Sequence, residues 1–207
     1  MAKNTAEELA ALKKKLRSLT RPGGHPRRSL PCQHPRLAEQ LPQGWPRGEL
    51  TEILAPCLGI GEFSLLAPSL AALTQNNEWL ALVNPPYSLQ AAALNRWRWK
   101  LQQVLVIQCA GENDTLWAME QCLRAGVCGA VIGWVAQPSD RQLRRLQLAA
   151  EHGASAGILF RPLNTRQQRS PAALRLCLQP LGRRRLRSTV IKQRGSRGQP
   201  QCTLTAP

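Results

Sequence analysis

The chain has 207 residues, of which 43% are hydrophobic and 19% charged, the make-up of one globular domain with enough apolar material for a core. No uninterrupted apolar run is long enough to span a membrane, and the opening MAKNTAEELAALKKKL lacks the apolar stretch of a secretory signal, so a cytoplasmic place is expected. The net charge is +16, and it sits at the ends: residues 1–28 carry +6, residues 29–160 carry −1, and residues 161–207 carry +11 with no acid at all. Cationic ends on a neutral body are what a polyanion-binding or acid-binding surface looks like, although basic tails also serve solubility alone.

Thr5 to Ser18 reads as a helix, with Thr5 and Glu8 in capping-box spacing and Leu9, Leu12, Leu16 and Leu19 in a narrow apolar stripe. So short a stripe does not fold alone; it docks on its own body, on a partner or on a second copy. Residues 21–37 hold four prolines and two glycines, the mark of a linker or an extended wrapping segment. From Gly48 a regular alternation begins. ELTEILAP (49–56), WLALV (79–83), VLVIQ (104–108), GAVIGWV (129–135) and AGILF (156–160) read as apolar strands. Helices are expected between them at 63–75, 88–100, 114–126 and 139–153, with Pro68 near the true start of the first. Gly126 should close the third, Ser139 should cap the start of the fourth, and Gly153 should follow its end. Strands that are apolar throughout, separated by helices, predict a parallel sheet covered on both faces. ALRLCLQ (173–179) and LRSTVIKQ (186–193) alternate and predict a C-terminal antiparallel hairpin. The expected organisation is a helix over 1–20, a linker over 21–43, a core over 44–195 and a flexible basic tail over 196–207.

In a strand–loop–helix unit of this kind the first loop is where a phosphate-binding GxxxxGK[ST] would lie. Here EILAPCLGIGEFSLL (52–66) offers Gly59 and Gly61, but Glu62 stands in place of the lysine and Phe63 in place of the hydroxyl. Glu62 would repel a phosphate, and Phe63 cannot coordinate Mg²⁺. The turn therefore reads as a degenerate P-loop without a cofactor and without catalysis. No GxSxG or comparable nucleophile signature is present. The seven cysteines form no CxxC pair, and His25, His34 and His152 are scattered, which argues against a disulfide framework and leaves no metal site to expect. Cys122 and Cys128 read as small buried hydrophobes. In RWRWK (96–100) the favoured reading is core tryptophan with solvated arginine, against a nucleic-acid grip. The cationic hairpin, Arg183, Arg184, Arg185, Arg187, Lys192 and Arg194, is the expected nucleic-acid-binding or partner-binding surface.

The order of these segments resembles the RecA-like ATPase core and its degenerate relatives, the ImuA proteins of translesion synthesis and the cell-division inhibitor SulA. The resemblance is carried by GWPRGELTEIL (44–54), LVNPP (82–86), LWAMEQCLRAG (116–126), GAVIGW (129–134), LRRLQLAAE (143–151), LFRP (159–162), SPAALRLCL (170–178) and VIKQRG (190–195). It implies a three-layer RecA-like fold. Departures from an active core agree with one another: beyond Glu62 and Phe63, Pro86 falls near where a glutamate would activate water, and Gly133 or Trp134 where an aspartate would reach Mg²⁺. The first reading is therefore an ImuA-like, non-catalytic accessory of SOS-induced translesion synthesis. Its implied partners are a RecA-type recombinase and an ImuB-type, Y-family-like polymerase, with DNA and self-association as further options, and its implied place is near the nucleoid. The alternative is a SulA-like inhibitor with a tubulin-like division protein as client; the P-loop-like turn with its preceding GWPRGELTEIL, and the long basic C-terminus, favour the first.

Overall fold

The computed structural model describes residues 2–19, 29–87, 97–182, 185–195 and 200–205. A two-residue ribbon, β1 (Ser29–Leu30) with β2 (Trp45–Pro46), precedes the main sheet. The five apolar runs become β3 (Glu49–Ala55), β4 (Trp79–Val83), β5 (Val104–Ile107), β6 (Cys128–Trp134) and β7 (Ala156–Pro162). The C-terminal third adds β8 (Leu174–Pro180), β9 (Arg185–Gln193) and β10 (Gln201–Thr205). Their order is β10-β9-β8-β3-β7-β6-β4-β5. The strands from β8 to β5 run parallel; β9 and β10 are antiparallel. This is a mixed α/β fold on one large, mostly parallel sheet.

Alternation along each strand sends side chains to two apolar layers. One layer joins Ile53, Leu82, Ile132 and Ile158 to α2 (Pro35–Gln40) and α3 (Ala67–Gln75). The other joins Leu50, Val83, Val131 and Leu159 to α1 (Ala2–Ser18), α4 (Glu112–Ala125) and α5 (Asp140–Gly153). No helix among the described residues is long and apolar enough to cross a membrane.

Several boundaries follow from single residues. Pro68 lies in the first turn of α3, where its missing N–H costs nothing. Gly126 closes α4 at φ +67°. Ser139 caps α5: its Oγ accepts from Gln142 N at 3.3 Å, while Ser139 N–H donates to Gln142 Oε1 at 2.8 Å. Gly153 does not follow the helix, as the sequence suggested. It is the last helical residue, and Ala154 takes the left-handed cap at φ +51°. The glycine is required for packing instead, since a Cβ at 153 would stand 1.8 Å from the Leu123 carbonyl oxygen.

Other expectations are revised. The N-terminal helix begins at Ala2, so Thr5 lies inside it. The stretch 21–43 is more than a spacer, for Leu37 and Leu41 of α2 and its exit are fully buried. Residues 201–205, expected within a flexible tail, pair along β9 and bury Leu204 completely. Of the helix expected over 88–100, residues 88–96 lie outside the described residues. Residues 97–100 form a turn with Arg98 at φ +59°.

Candidate functional site

In an open parallel sheet the natural place for a ligand is the crevice at the carboxyl ends of the strands. Here the crevice lies after β3, between α3 on one face and the loops leaving β6 and β7. It is occupied by rings. Phe63, in the turn entering α3, has its centroid 5.7 Å from Trp97, 5.9 Å from Trp99, 5.9 Å from Trp134 and 6.2 Å from Phe160. Trp134 and Phe160 stack at 5.3 Å and 10°. The Trp99 indole N–H donates to the Ala67 carbonyl at 3.0 Å. Each ring pair adds about 0.5–1.5 kcal/mol beyond its buried area. Trp97 and Trp99 thus both turn inward while Arg98 between them is exposed, and Arg96 lies outside the described residues.

The turn itself is closed by its own acid. Gly59 and Gly61 hold φ of +83° and +99°, backbone that glycine adopts readily. Their twist folds Glu62 back so that Oε1 accepts the Gly59 N–H at 3.0 Å. Glu62 is 3% exposed, and its Oε2 has no partner among the described residues. A backbone donor that could greet a phosphate is thus already engaged by a carboxylate, beside a benzyl ring. Leu58 and Tyr87 form an exposed apolar rim, and a Cβ at Gly59 would lie 3.4 Å from the Tyr87 hydroxyl.

The neighbouring positions are set by packing. Asn84, at φ +52°, donates its N–H to Ile107 and its amide to Thr115 Oγ1 at 3.2 Å; Pro85 and Pro86 follow it out of β4. Gly133 is glycine because α4 presses against it: a Cβ there would stand 2.2 Å from Met119 Sδ. Burial pushes the Cys128 thiol up to about 12 and holds Cys122 well above its ordinary value, so both act as apolar side chains.

On the opposite face of the same strands lies a cluster that sequence reasoning missed. Glu52 of β3, fully buried, accepts from Arg161 Nη1 and Ser170 Oγ on one oxygen, both at 2.9 Å, and from Arg175 Nε at 2.6 Å on the other. Arg175 Nη1 donates to the carbonyls of Arg166 and Gln168, and Nη2 to that of Thr165. Arg161 Nη2 donates to Gln168 Oε1 at 2.7 Å. The cluster knots the β7–β8 connection to the centre of the sheet. Its signal was available: Glu52, Arg161 and Arg175 are charges inside otherwise apolar strands.

The expected binding residues fare differently. Arg183 and Arg184 lie outside the described residues. Arg185 and Arg187 are exposed on one side of β9 and enter no ion pair among the described residues. Lys192 and Arg194 are engaged: Lys192 Nζ donates to the Ser170 carbonyl at 2.7 Å, and Arg194 Nη1 to Glu49 Oε1 at 2.9 Å. In α1, Leu12 and Leu16 are buried and Leu19 packs beside them, while the Lys13 ammonium lies 5.3 Å over the Trp117 ring. The stripe docks on its own body; the Leu9 side chain is outside the described residues. Among the described residues no three His, Cys, Asp or Glu side chains gather as a metal site.

The carboxyl ends of these strands are thus packed with rings on one face and knotted by charges on the other. Comparison with known proteins gives this chain a direction. Residues 59–157 match the family model described as cell division inhibitor SulA. The cell division inhibitors SulA of Yersinia pestis (strain Pestoides F) and of Yersinia pseudotuberculosis (serotype O:1b, strain IP 31758) are each 31% identical to it over 100 residues, 48% of this chain and 60% of the relative. The match thus spans three fifths of those relatives' length. The crystal structure of SulA from Pseudomonas aeruginosa aligns at 28% identity and TM-score 0.47, over 54% of this chain and 97% of that one.

These findings correct the first sequence reading. The similarity that is found is to SulA, a likeness to ImuA is not shown, and the recombinase, polymerase and DNA partners that came with the translesion reading go with it. The reason is visible in where the cues lay. Of the cues that favoured ImuA, GWPRGELTEIL and the basic C-terminus fall outside the matched residues, while the Gly59–Phe63 turn falls inside, as do LWAMEQCLRAG and GAVIGW. The RecA-like descent of the Gly59–Phe63 turn is likewise not supported; what stands is a mixed α/β fold with a closed turn.

Proposed function

We propose that this chain is a SulA-like inhibitor of cell division that acts by binding a tubulin-like division protein, in the SOS response that a likeness to SulA implies. The observation that carries this reading is the SulA match over residues 59–157, which spans α3, β4, β5, α4, β6 and α5. The filled crevice supports binding over turnover, because Glu62 already takes the Gly59 N–H and Phe63 packs among rings, leaving no open cleft among the described residues of this turn.

The cations of β9 are the proposed contact for an acidic client, with Arg185 and Arg187 leading because neither is held by an ion pair among the described residues. Exposed charges on a rim mainly set association rate and salt dependence. The test is polymerisation of the purified division protein, followed by light scattering and sedimentation with increasing amounts of this chain. Loss of polymer at stoichiometric amounts is expected; unchanged polymer at several-fold excess overturns the reading. Replacing Arg185 and Arg187 together with Glu is expected to weaken inhibition about three- to tenfold at low salt and less at high salt. Equal potency at both salts removes the hairpin from the interface.

A further inference from the structure

Two thiols far apart in sequence reach the same turn of the molecule. Cys202 of β10 points its Sγ at the Arg36 carbonyl at 3.6 Å, across 166 positions of chain. Cys32 points its Sγ at the His34 carbonyl at 3.8 Å. His34 and Arg36 are the cap and first turn of α2. Around them α2 lies along β10 and β9: His34 Nε2 bonds the Thr205 carbonyl at 3.3 Å, and Gln40 accepts from Ser188 Oγ at 2.9 Å. Cys202 and Ser188 are direct partners across the ladder. Both cysteines are partly exposed and pack against the same apolar layer. Burial pushes both thiols up from their ordinary range, and the Cys202 sulfur adds to the rise at Cys32, as a close neighbour does.

We propose that Cys32 and Cys202 form a disulfide site, closed by an oxidant of the peroxide or glutathione-disulfide class, that staples β10 to the entry of α2. With hydrogen peroxide, one thiolate attacks the O–O bond to give a sulfenic acid, releasing hydroxide that leaves as water. The second thiol then attacks that sulfur, the S–S bond forms, and the sulfenic oxygen departs as a second water. Two thiols lose two electrons and two protons, and one peroxide is reduced to two waters. With glutathione disulfide, two exchanges release two glutathione thiols. The raised thiols make this a slow bond rather than a fast sensor. The staple matters because β10 is the edge strand of the sheet, and it would close a loop over most of the chain.

The full chain is incubated with hydrogen peroxide or with oxidised glutathione, alkylated without reduction and cut with trypsin. The expected product joins peptide 29–36 to peptide 198–207, lighter than their sum by two hydrogen atoms. The oxidised chain should carry no disulfide between two chains, melt several degrees higher than the reduced chain, and lose that gain in dithiothreitol. Cys32→Ser and Cys202→Ser should each abolish the joined peptide and the gain, while Cys57→Ser keeps both. The proposal is overturned if no joined peptide forms at oxidant levels that fully modify exposed Cys57. It is equally overturned if the bond joins two chains, or if either Ser variant at 32 or 202 keeps the gain. These outcomes are independent of division-protein binding.

Discussion

At their carboxyl ends β3 and β7 show one character on one face of the sheet and the opposite character on the other. Phe160 enters the ring cluster while Arg161, the next residue, enters the charged one. Ile53 faces the apolar layer while Glu52, the residue before, holds two guanidinium groups. The two faces are stabilised by different physics. The rings gain from burial and dispersion, which degrade gradually when atoms are removed. The charges gain only while every partner is present, because an unpaired buried ion costs several kcal/mol. Two cations on one carboxylate make Glu52 the member with the largest consequence.

The largest expected effect is therefore Glu52→Leu, which leaves Arg161 and Arg175 facing each other without an acid. A loss of about 3–5 kcal/mol in urea unfolding is expected. A loss under one kcal/mol would mean that solvent reaches the cluster. Replacing all three, with Leu at 52 and Met at 161 and 175, sharpens the point: most of that loss should return. The part that does not return measures the carbonyls of residues 165, 166 and 168 that Arg175 now satisfies. Next comes Phe63→Ala on the ring face. It should cost about 2–3 kcal/mol, less than a fully buried phenylalanine because this ring is only partly enclosed. If the cavity simply admitted a nucleotide, ATP would raise the melting temperature of this variant; the Glu62 carboxylate makes the expected answer no change. Trp99→Phe keeps a ring and removes the indole bond to Ala67, for about 1 kcal/mol by the same unfolding measurement.

The smallest effect lies where the charged face meets solvent. Lys192 pairs with Arg175 across β8 and β9, and its pKa is lowered from 10.5 by burial first, then by Arg175 and Arg194. Its charged form is thus disfavoured in the fold. The penalty is complete below the folded-state pKa and fades as pH rises from there to 10.5. The stability difference between Lys192→Gln and the native chain, measured by urea unfolding from pH 8 upward, should shift in favour of the native chain over that window. A flat difference would place the lysine in free solvent.

What was legible follows the same division. WLALV, GAVIGWV and AGILF are runs with no charged, amide or hydroxyl side chain to place, so their burial on both sides was readable from composition alone. The Ser139 cap and Gly126 stop were readable because each satisfies a local backbone need. The ring cluster was half readable: Phe63 was seen as something a nucleotide loop could not use, but its partners come from three other segments. Glu52, Arg161 and Arg175 were visible one by one as charges in apolar strands, but their meeting was not, because pairing between β3, β7 and β8 is a matter of register. The strand at 201–205 was missed because its anchoring Leu204 stands among polar residues, and its ladder is supplied by β9. The SulA likeness was present as the second reading; the Gly59–Phe63 turn, the GWPRGELTEIL before it and the basic C-terminus tipped the balance the wrong way.

Two glycines with crowded surroundings should behave differently under genetic selection. At Gly153 the obstacle to a side chain is the Leu123 carbonyl, part of the main chain, so an alanine there has no neighbour whose trimming would relieve it. At Gly133 the obstacle is the tip of Met119, a flexible thioether. An inactivating Gly133→Ala lesion should therefore yield second-site revertants, and Met119 shortened to Val or Ala is where they should cluster.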